Sequence, residues 1–103
     1  MSDDSRVVGR DDLEDAVRHL IAEVLMVSPD IVRPESALIR DLGAESIDFV
    51  DLVFRIEDVV GRKIKASRWE AFIAERLPRE DLSCTITMAV VMEFAERERA
   101  RAS

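Results

Sequence analysis

Apolar residues recur at helical spacing along most of the chain. Leu13, Ala16, Val17, Leu20, Ile21, Val24 and Val27 predict a first helix of about four turns that ends before Ser28-Pro29. Asp11 followed by Glu14 resembles the box that closes a helix N-terminus. A second apolar set predicts a helix from about Ser46 to Val60, stopped by Gly61. Ser67-Arg68-Trp69-Glu70 has the form of a capping box and predicts a shorter helix reaching Arg76, stopped by Leu77-Pro78, with Trp69, Phe72 and Ile73 as its apolar side. Residues 83–88 alternate polar and apolar, the period of a strand, but a lone strand has no partner in such a chain. A final helix from Thr85 or Thr87 to about Arg99 is the better expectation, with Ile86, Ala89, Val90 and Phe94 inward and the charged stretch Glu96 to Arg101 fraying into solvent. Between the first two helices, residues 28–45 form a long connection broken by Pro29, Pro34 and Gly43. Ile31, Val32, Leu38, Ile39 and Leu42 pin it to the core, with a short turn near Ser36-Ala37-Leu38. Gly43 is expected in a conformation closed to other residues. The fold class is therefore all-α, a bundle of three main helices plus one shorter helix. It forms one domain over residues 1–103, with 1–9 and about 98–103 as tails.

The second helix carries more apolar surface than folding requires. Wound at about 100° per residue, Phe49, Leu52, Val53, Ile56, Val59 and Val60 fall within an arc of roughly 120°, enough for a core-facing stripe. Ile47, Val50 and Phe54 form a second strip on the other side, beside Asp48, Asp51 and Asp58 with Arg55 among them. An apolar strip turned away from the core and flanked by carboxylates suggests a docking surface. Its candidate residues are Ile47, Asp48, Val50, Asp51, Phe54 and Glu57.

Charge sharpens that picture. The chain carries a net charge of −7, which disfavours nucleic-acid backbones and anionic membrane surfaces. Residues 41–60 hold six acidic residues against one basic, while residues 61–103 hold nine basic against seven acidic. The negative field is thus densest on the second helix, where basic partners are expected. The core is mostly aliphatic, because only five residues are aromatic and none is Tyr. The single cysteine, Cys84, has no partner for an internal disulfide; it reads as a small buried apolar residue ahead of a reactive thiol. With no signal-peptide pattern and no membrane-spanning run, the expected compartment is the cytoplasm and no membrane insertion is foreseen.

No self-sufficient catalyst is legible. A Ser-His-Asp device needs a histidine base, and the only one, His19, projects to the polar side of the first helix. Zinc chemistry needs several Cys or His ligands, a phosphate loop needs glycines, and calcium needs a ligand-rich loop; none is present. The catalytic and metal-site expectations are therefore empty, and the chain is expected not to be an enzyme. Ser46 remains as the one group poised for chemistry. By position it reads as a helix cap, contributing about 1 kcal/mol, and a negatively charged group at that point would gain from the helix N-terminus.

Asp41-Leu42-Gly43-Ala44-Glu45-Ser46-Ile47-Asp48, with the alternation of acidic and apolar residues through Glu57, resembles the acyl carrier protein family over about residues 10 to 65. In that family the serine of an Asp-Ser-Leu motif carries 4′-phosphopantetheine, and Ser46 is the matching residue, with Glu45 and Ile47 as conservative departures. The resemblance implies a monomeric carrier that receives its arm from coenzyme A by the action of a phosphopantetheinyl transferase. It further implies acyl groups held as thioesters and passed among loading, elongating and acyl-transferring enzymes with basic docking patches, in fatty acid or specialised lipid biosynthesis. The alternatives are a carrier of polyketide or aminoacyl intermediates and, in a different class, an unmodified interaction module. A bundle of this kind shelters an acyl chain between its second and third helices, and Leu52, Ile56, Val59 and Trp69 are the expected lining. Lys63-Ile64-Lys65 followed by Trp69 resembles the carriers dedicated to very long chain acids of lipid A.

Overall fold

The computed structural model describes residues 10–77 and 85–101. Four α-helices account for most of them: α1 (Arg10–Leu25), α2 (Ser46–Val60), α3 (Ala66–Arg76) and α4 (Met88–Arg101), with a single 3-10 turn at Pro29–Ile31. The all-α expectation holds, and there is no named strand among the described residues. Helices α1, α2 and α4 pack against one another, and α3 lies against α2. Their shared interior is aliphatic, built on Leu13, Val17, Ile21, Leu38, Leu52, Ile56 and Val91, with Phe94 and Met88 completing it.

The helix ends follow local chemistry, not always the chemistry expected. Arg10 is already helical, so Asp11 lies inside the first turn of α1 and not ahead of it; its side chain is outside the described set. Helix α1 stops where Met26 takes φ 59° and the Val27 N–H reaches back to the Ala22 carbonyl at 3.0 Å, a C-terminal wrap that glycine usually serves. Helix α2 ends at Gly61, φ 79°, whose N–H bonds the Glu57 carbonyl at 2.8 Å. Helix α3 begins at Ala66 behind Lys65, so the Ser67–Glu70 box does not form. Both residues sit within the helix, where the spacing that makes a box also fits an ordinary turn. Its end at Arg76 is as expected: Leu77 is extended, the conformation favoured for a residue that precedes proline. Pro78 and Cys84, and with them the expected burial of the thiol, lie outside the described residues, as do residues 1–9 and 102–103.

In the C-terminal third no strand is named at residues 85–88, as expected, though Ala37 and Thr87 form an isolated antiparallel bridge. Leu38 N–H bonds Ile86 O at 2.9 Å, Met88 N–H bonds Ser36 O at 3.1 Å, and Ala89 N–H bonds Pro34 O at 3.0 Å. The long connection is thereby stitched to the start of α4. Helix α4 then runs through Arg101 without fraying at Glu96. Its buried face is Met88, Val91, Met92, Phe94, Ala95 and Glu98, while Ala89 is exposed and Val90 only half-buried. The bridge sets the phase of the helix, which turns Ala89 outward. Glu98, 2 % exposed, is buried because Arg68 of α3 reaches it with contacts of 2.7 and 3.0 Å, satisfying a charge that burial would otherwise penalise.

Candidate functional site

The connection delivers Ser46 to the first position of α2. Asp41 turns back on the chain: its carboxylate accepts from the Ala37 N–H at 2.9 Å and pairs with Arg40 at 3.2 Å. The backbone N–H of Ala37, then Arg40, hold the Asp41 carboxyl below its ordinary range. Ala44 N–H bonds the Leu38 carbonyl at 2.9 Å, and the turn between them passes through Gly43 at φ 79°. No atom lies within 4 Å of where a Cβ would stand on Gly43, so the glycine is needed for backbone conformation and not for space. Ala44 and Phe49 are buried on either side of Ser46, fixing both the approach and the departure of the chain.

Ser46 is not the helix cap. Glu45 holds that position with φ −115° and ψ 169°, and its N–H donates to the Asp48 carboxylate at 2.8 Å. With the cap supplied by its neighbours, the Ser46 hydroxyl is exposed and makes no hydrogen bond among the described residues. A free hydroxyl beside the unsatisfied N–H groups of a helix start can take a phosphate ester, whose negative charge the helix end favours.

The outer strip of α2 is as expected: Ile47 is 72 %, Val50 56 % and Phe54 65 % exposed. The carboxylates divide in their roles. Asp51 is exposed, 3.6 Å from Arg55, which also bridges to Glu23 of α1 at 2.7 Å. Asp48 is tied to the Glu45 N–H, and half-buried Glu57 accepts from the Ile64 N–H at 2.9 Å. Asp48 and Glu57 therefore have structural duties that the docking expectation did not include. Glu57 is the clearer case, because it fastens the end of the α2–α3 connection.

A cavity of about 530 Å³ opens between α2 and α3, and Ser46 lies on its lining. That volume falls in the range of small-ligand sites. Phe49 and Val53 of α2, Trp69 and Ile73 of α3, and Ile39 and Ile86 form its apolar walls, and Val50 joins it to the outer strip. Of the four residues expected to line it, only Trp69 does. Leu52 and Ile56 are buried in the core, and Val59 packs partly buried against it. The inward arc of α2 has two flanks: Phe49 and Val53 fall on the one that adjoins Ser46, and Leu52 and Val59 on the other. The sequence marks the arc but not which flank α3 covers. Ile39 and Ile86 were missed because they come from opposite partners of the 34–89 stitching, which no local pattern signals.

Trp69 stacks on Phe49 with ring centroids 5.7 Å apart and planes at 13°. Its other contacts are an edge-on approach to Phe94 at 5.2 Å and a tilted one to Phe72 at 6.0 Å. His19 is exposed, its Nδ1 2.8 Å from the Asp15 carbonyl of its own helix, and no group of metal-ligating residues forms among the described residues. No described helix is long and apolar enough to cross a membrane.

Residues 15–69 match the family described as phosphopantetheine attachment site. The chain is 40 % identical over 68 residues to the acyl carrier protein AcpXL of Brucella melitensis biotype 1, an alignment covering 65 % of this chain and 73 % of that protein. It is 39 % identical over 61 residues to the acyl carrier protein AcpXL of Rhizobium meliloti, covering 59 % of this chain and 64 % of the relative. The acyl carrier protein of Campylobacter hominis is 43 % identical over 58 residues, 56 % of this chain and 73 % of its own.

Proposed function

The chain belongs to the phosphopantetheine-attachment family of acyl carrier proteins, and from that premise we propose that Ser46 is the residue that bears the 4′-phosphopantetheine arm and that this carrier serves a specialised lipid pathway. The observation that carries the first half is the Ser46 hydroxyl, unbonded and exposed at the start of α2 and on the lining of an apolar cavity. In the transfer, Ser46 Oγ attacks the pyrophosphate phosphorus of coenzyme A beside the pantetheine arm. A P–O bond forms, the hydroxyl proton passes to a base of the transferase, and adenosine 3′,5′-bisphosphate leaves. The arm supplies a thiol on which acyl groups are held as thioesters. Cap and hydroxyl are separate here, so Ser46 is free for this work without loosening α2.

The second half rests on the relatives named acyl carrier protein AcpXL and on the segment with Lys63-Ile64-Lys65 and Trp69. The walls of the cavity favour an acyl chain over a polar aminoacyl group. The outer strip Ile47, Val50 and Phe54, beside Asp51 and within the most acidic stretch of the chain, fits transferase and acyl-handling enzymes that present basic patches around an apolar socket. This reading takes the chain as a single carrier domain, acting as a monomer in the cytoplasm.

The test is mass spectrometry after incubation with coenzyme A and a phosphopantetheinyl transferase. The wild-type chain is expected to gain one phosphopantetheinyl group, mapped to the peptide containing Ser46. Ser46→Ala is expected to gain none and to keep its stability within about 0.5 kcal/mol, as an exposed residue away from caps and core does. Modification of the alanine variant would remove Ser46 from the role.

A further inference from the structure

Arg55 is the only basic residue between positions 41 and 60, and it stands in the face of α2 that the reading above gives to basic partners. Wound at about 100° per residue, Asp58, Asp51 and Arg55 follow one another around the helix, from about 20° to about 80° past Ile47. Beyond Arg55 comes Glu23 of α1, whose carboxylate accepts from the guanidinium at 2.7 Å, while the Asp51 carboxylate lies 3.6 Å from Arg55 Nε. Moving outward from the apolar strip, the surface therefore runs acid, acid, cation, acid. A clamp between α1 and α2 does not account for the cation. Arg55 is 42 %, Asp51 50 % and Glu23 68 % exposed, and exposed ion pairs contribute little to stability. The two helices already share a buried aliphatic interior. A guanidinium carries five N–H donors, and among the described residues Arg55 makes one hydrogen bond, to Glu23. The rest of the fork is open to a partner.

Resting on the reading that α2 is the docking face, we propose that Arg55 is the residue by which that face chooses among partner enzymes. It admits those whose patch sets a carboxylate among basic groups, and it holds back those whose patch is wholly basic. A lysine or arginine brought to Asp51 comes within reach of the Arg55 guanidinium, and the like charges oppose docking. A carboxylate brought to the same point meets the open end of the fork, which can take it through two parallel N–H bonds. Glu23 on one side and Asp51 on the other keep the guanidinium in one place, so the fork is presented ready for that contact. The face thus discriminates by a repulsive element as well as an attractive one. The surrounding acids still steer basic surfaces toward α2, and Arg55 sets which of them can settle there.

The experiment uses a phosphopantetheinyl transferase whose docking patch is wholly basic. It follows the rate at subsaturating carrier across a salt series, with Tm measured for each variant. Arg55→Gln is expected to be modified about three to five times faster than the wild type at low salt, the scale of one exposed charge pair, and at the wild-type rate at high salt. The gain is expected in KM, with kcat unchanged. Glu23→Gln is expected to be slower than the wild type, because it removes an acid and leaves the cation. A mere clamp would make Glu23→Gln and Arg55→Gln alike, since each breaks the same bridge. In a second arm, each basic residue of the transferase patch is replaced in turn by Glu. One such replacement is expected to raise the rate on the wild-type chain and lower it on Arg55→Glu, the signature of two groups in contact. Arg55→Gln at the wild-type rate in low salt, matching rates for Arg55→Gln and Glu23→Gln, or a replacement series in which no position reverses its effect would each overturn the proposal. Asp51→Lys and Phe54→Ala both modified at the wild-type rate would instead overturn the docking reading on which it rests.

Discussion

Two segments are laid onto the α1–α2–α4 interior of this protein, and they are held in different ways. The connection 28–45 is held by its backbone. Three inter-segment hydrogen bonds join it to residues 86–89, and internal ones at Asp41, Gly43 and Ala44 shape the turn before Ser46. Helix α3 is held by side chains. Among the described residues no backbone hydrogen bond joins it to another element. Its attachments are the Trp69 and Phe72 rings, Ile73, and the ion pairs Arg68–Glu98, Arg76–Glu93 and Arg97–Glu75. Backbone bonds are directional and tolerate little displacement, whereas packed side chains can exchange one rotamer or neighbour for another. The connection thereby fixes the exposed Ser46 hydroxyl in one place, and α3 borders the cavity beside it.

The comparison is broken most severely at the buried end of the α3 attachment. Arg68→Ala leaves Glu98, 2 % exposed, without its partner. An orphaned buried carboxylate costs about 3 kcal/mol, whereas Glu98→Ala leaves only a guanidinium that is partly in water, and costs less. Urea unfolding should rank the two in that order. Hydrogen exchange on Arg68→Ala should show residues 66–76 opening first while the amides of Leu38, Ala44 and Met88 stay protected. Equal losses in both variants, or early exchange at Leu38, would show that the two segments share one mode of attachment.

A smaller effect separates the two modes by acid and salt. Arg76 hydrogen-bonds Glu93 and holds its carboxyl below the ordinary range, and the Ala37 N–H does the same for Asp41. A carboxylate with a depressed folded-state pKa contributes stability that is present above its unfolded value, 4.5 for Glu93 and 3.8 for Asp41, and is lost as pH falls through the folded value. Acid should therefore weaken both attachments below about pH 4. Salt should distinguish them: the Glu93 contribution is an exposed ion pair and is screened, while that of Asp41 comes chiefly from a backbone dipole at 2.9 Å. In acid titrations followed by circular dichroism, Glu93→Gln should differ from the wild type less at high salt, and Asp41→Asn should differ by a similar amount at both. Identical salt responses would remove the distinction.

How legible each segment was follows from the same contrast. Helix α2 could be drawn from sequence to its ends, since its period, Gly61 and the turn at Gly43 are local signals. The outward position of Phe54 came from the period alone. The connection could be anchored in outline, and Val32 and Leu38 are indeed buried, but its partner strand residue Thr87 is fifty positions away and its bonds are made by backbone, which carries no side-chain signature. No strand is named at residues 85–88, as expected, and the isolated bridge at Thr87 depends wholly on that distant partner. Arg68 and Glu98 were equally hidden: each sits in a charged stretch that reads as solvated, and only the crossing of α3 and α4 brings them together. Ser46 stood out through a contiguous motif, while the walls of the cavity beside it depended on which flank of α2 α3 would cover, and Trp69 alone of the four residues expected around an acyl chain lines it.

Neither segment covers the outer strip of α2, and that surface gives the gentlest test. Phe54 is 65 % exposed, and Phe49, on the inward arc of the same helix, is 8 % exposed and stacked on Trp69. Truncating a buried phenylalanine costs about 3–5 kcal/mol through lost burial and the cavity left behind. Truncating an exposed one should change stability by no more than about 0.5 kcal/mol. Phe54→Ala should therefore unfold at nearly the wild-type urea concentration, yet slow modification by the transferase, because an aromatic anchor on a docking surface contributes to binding what it does not contribute to folding. The measurement is a pair: a urea midpoint, and the transferase rate at subsaturating carrier. The slowing should persist in high salt, since apolar contact is not screened, whereas Asp51→Lys should lose much of its effect there. A Phe54→Ala variant that unfolds early would place the ring in the core. One that is stable and modified at the wild-type rate would mean that the transferase reads the carboxylates and the Ser46 turn, and leaves the apolar strip to a later partner in the chain of acyl transfer.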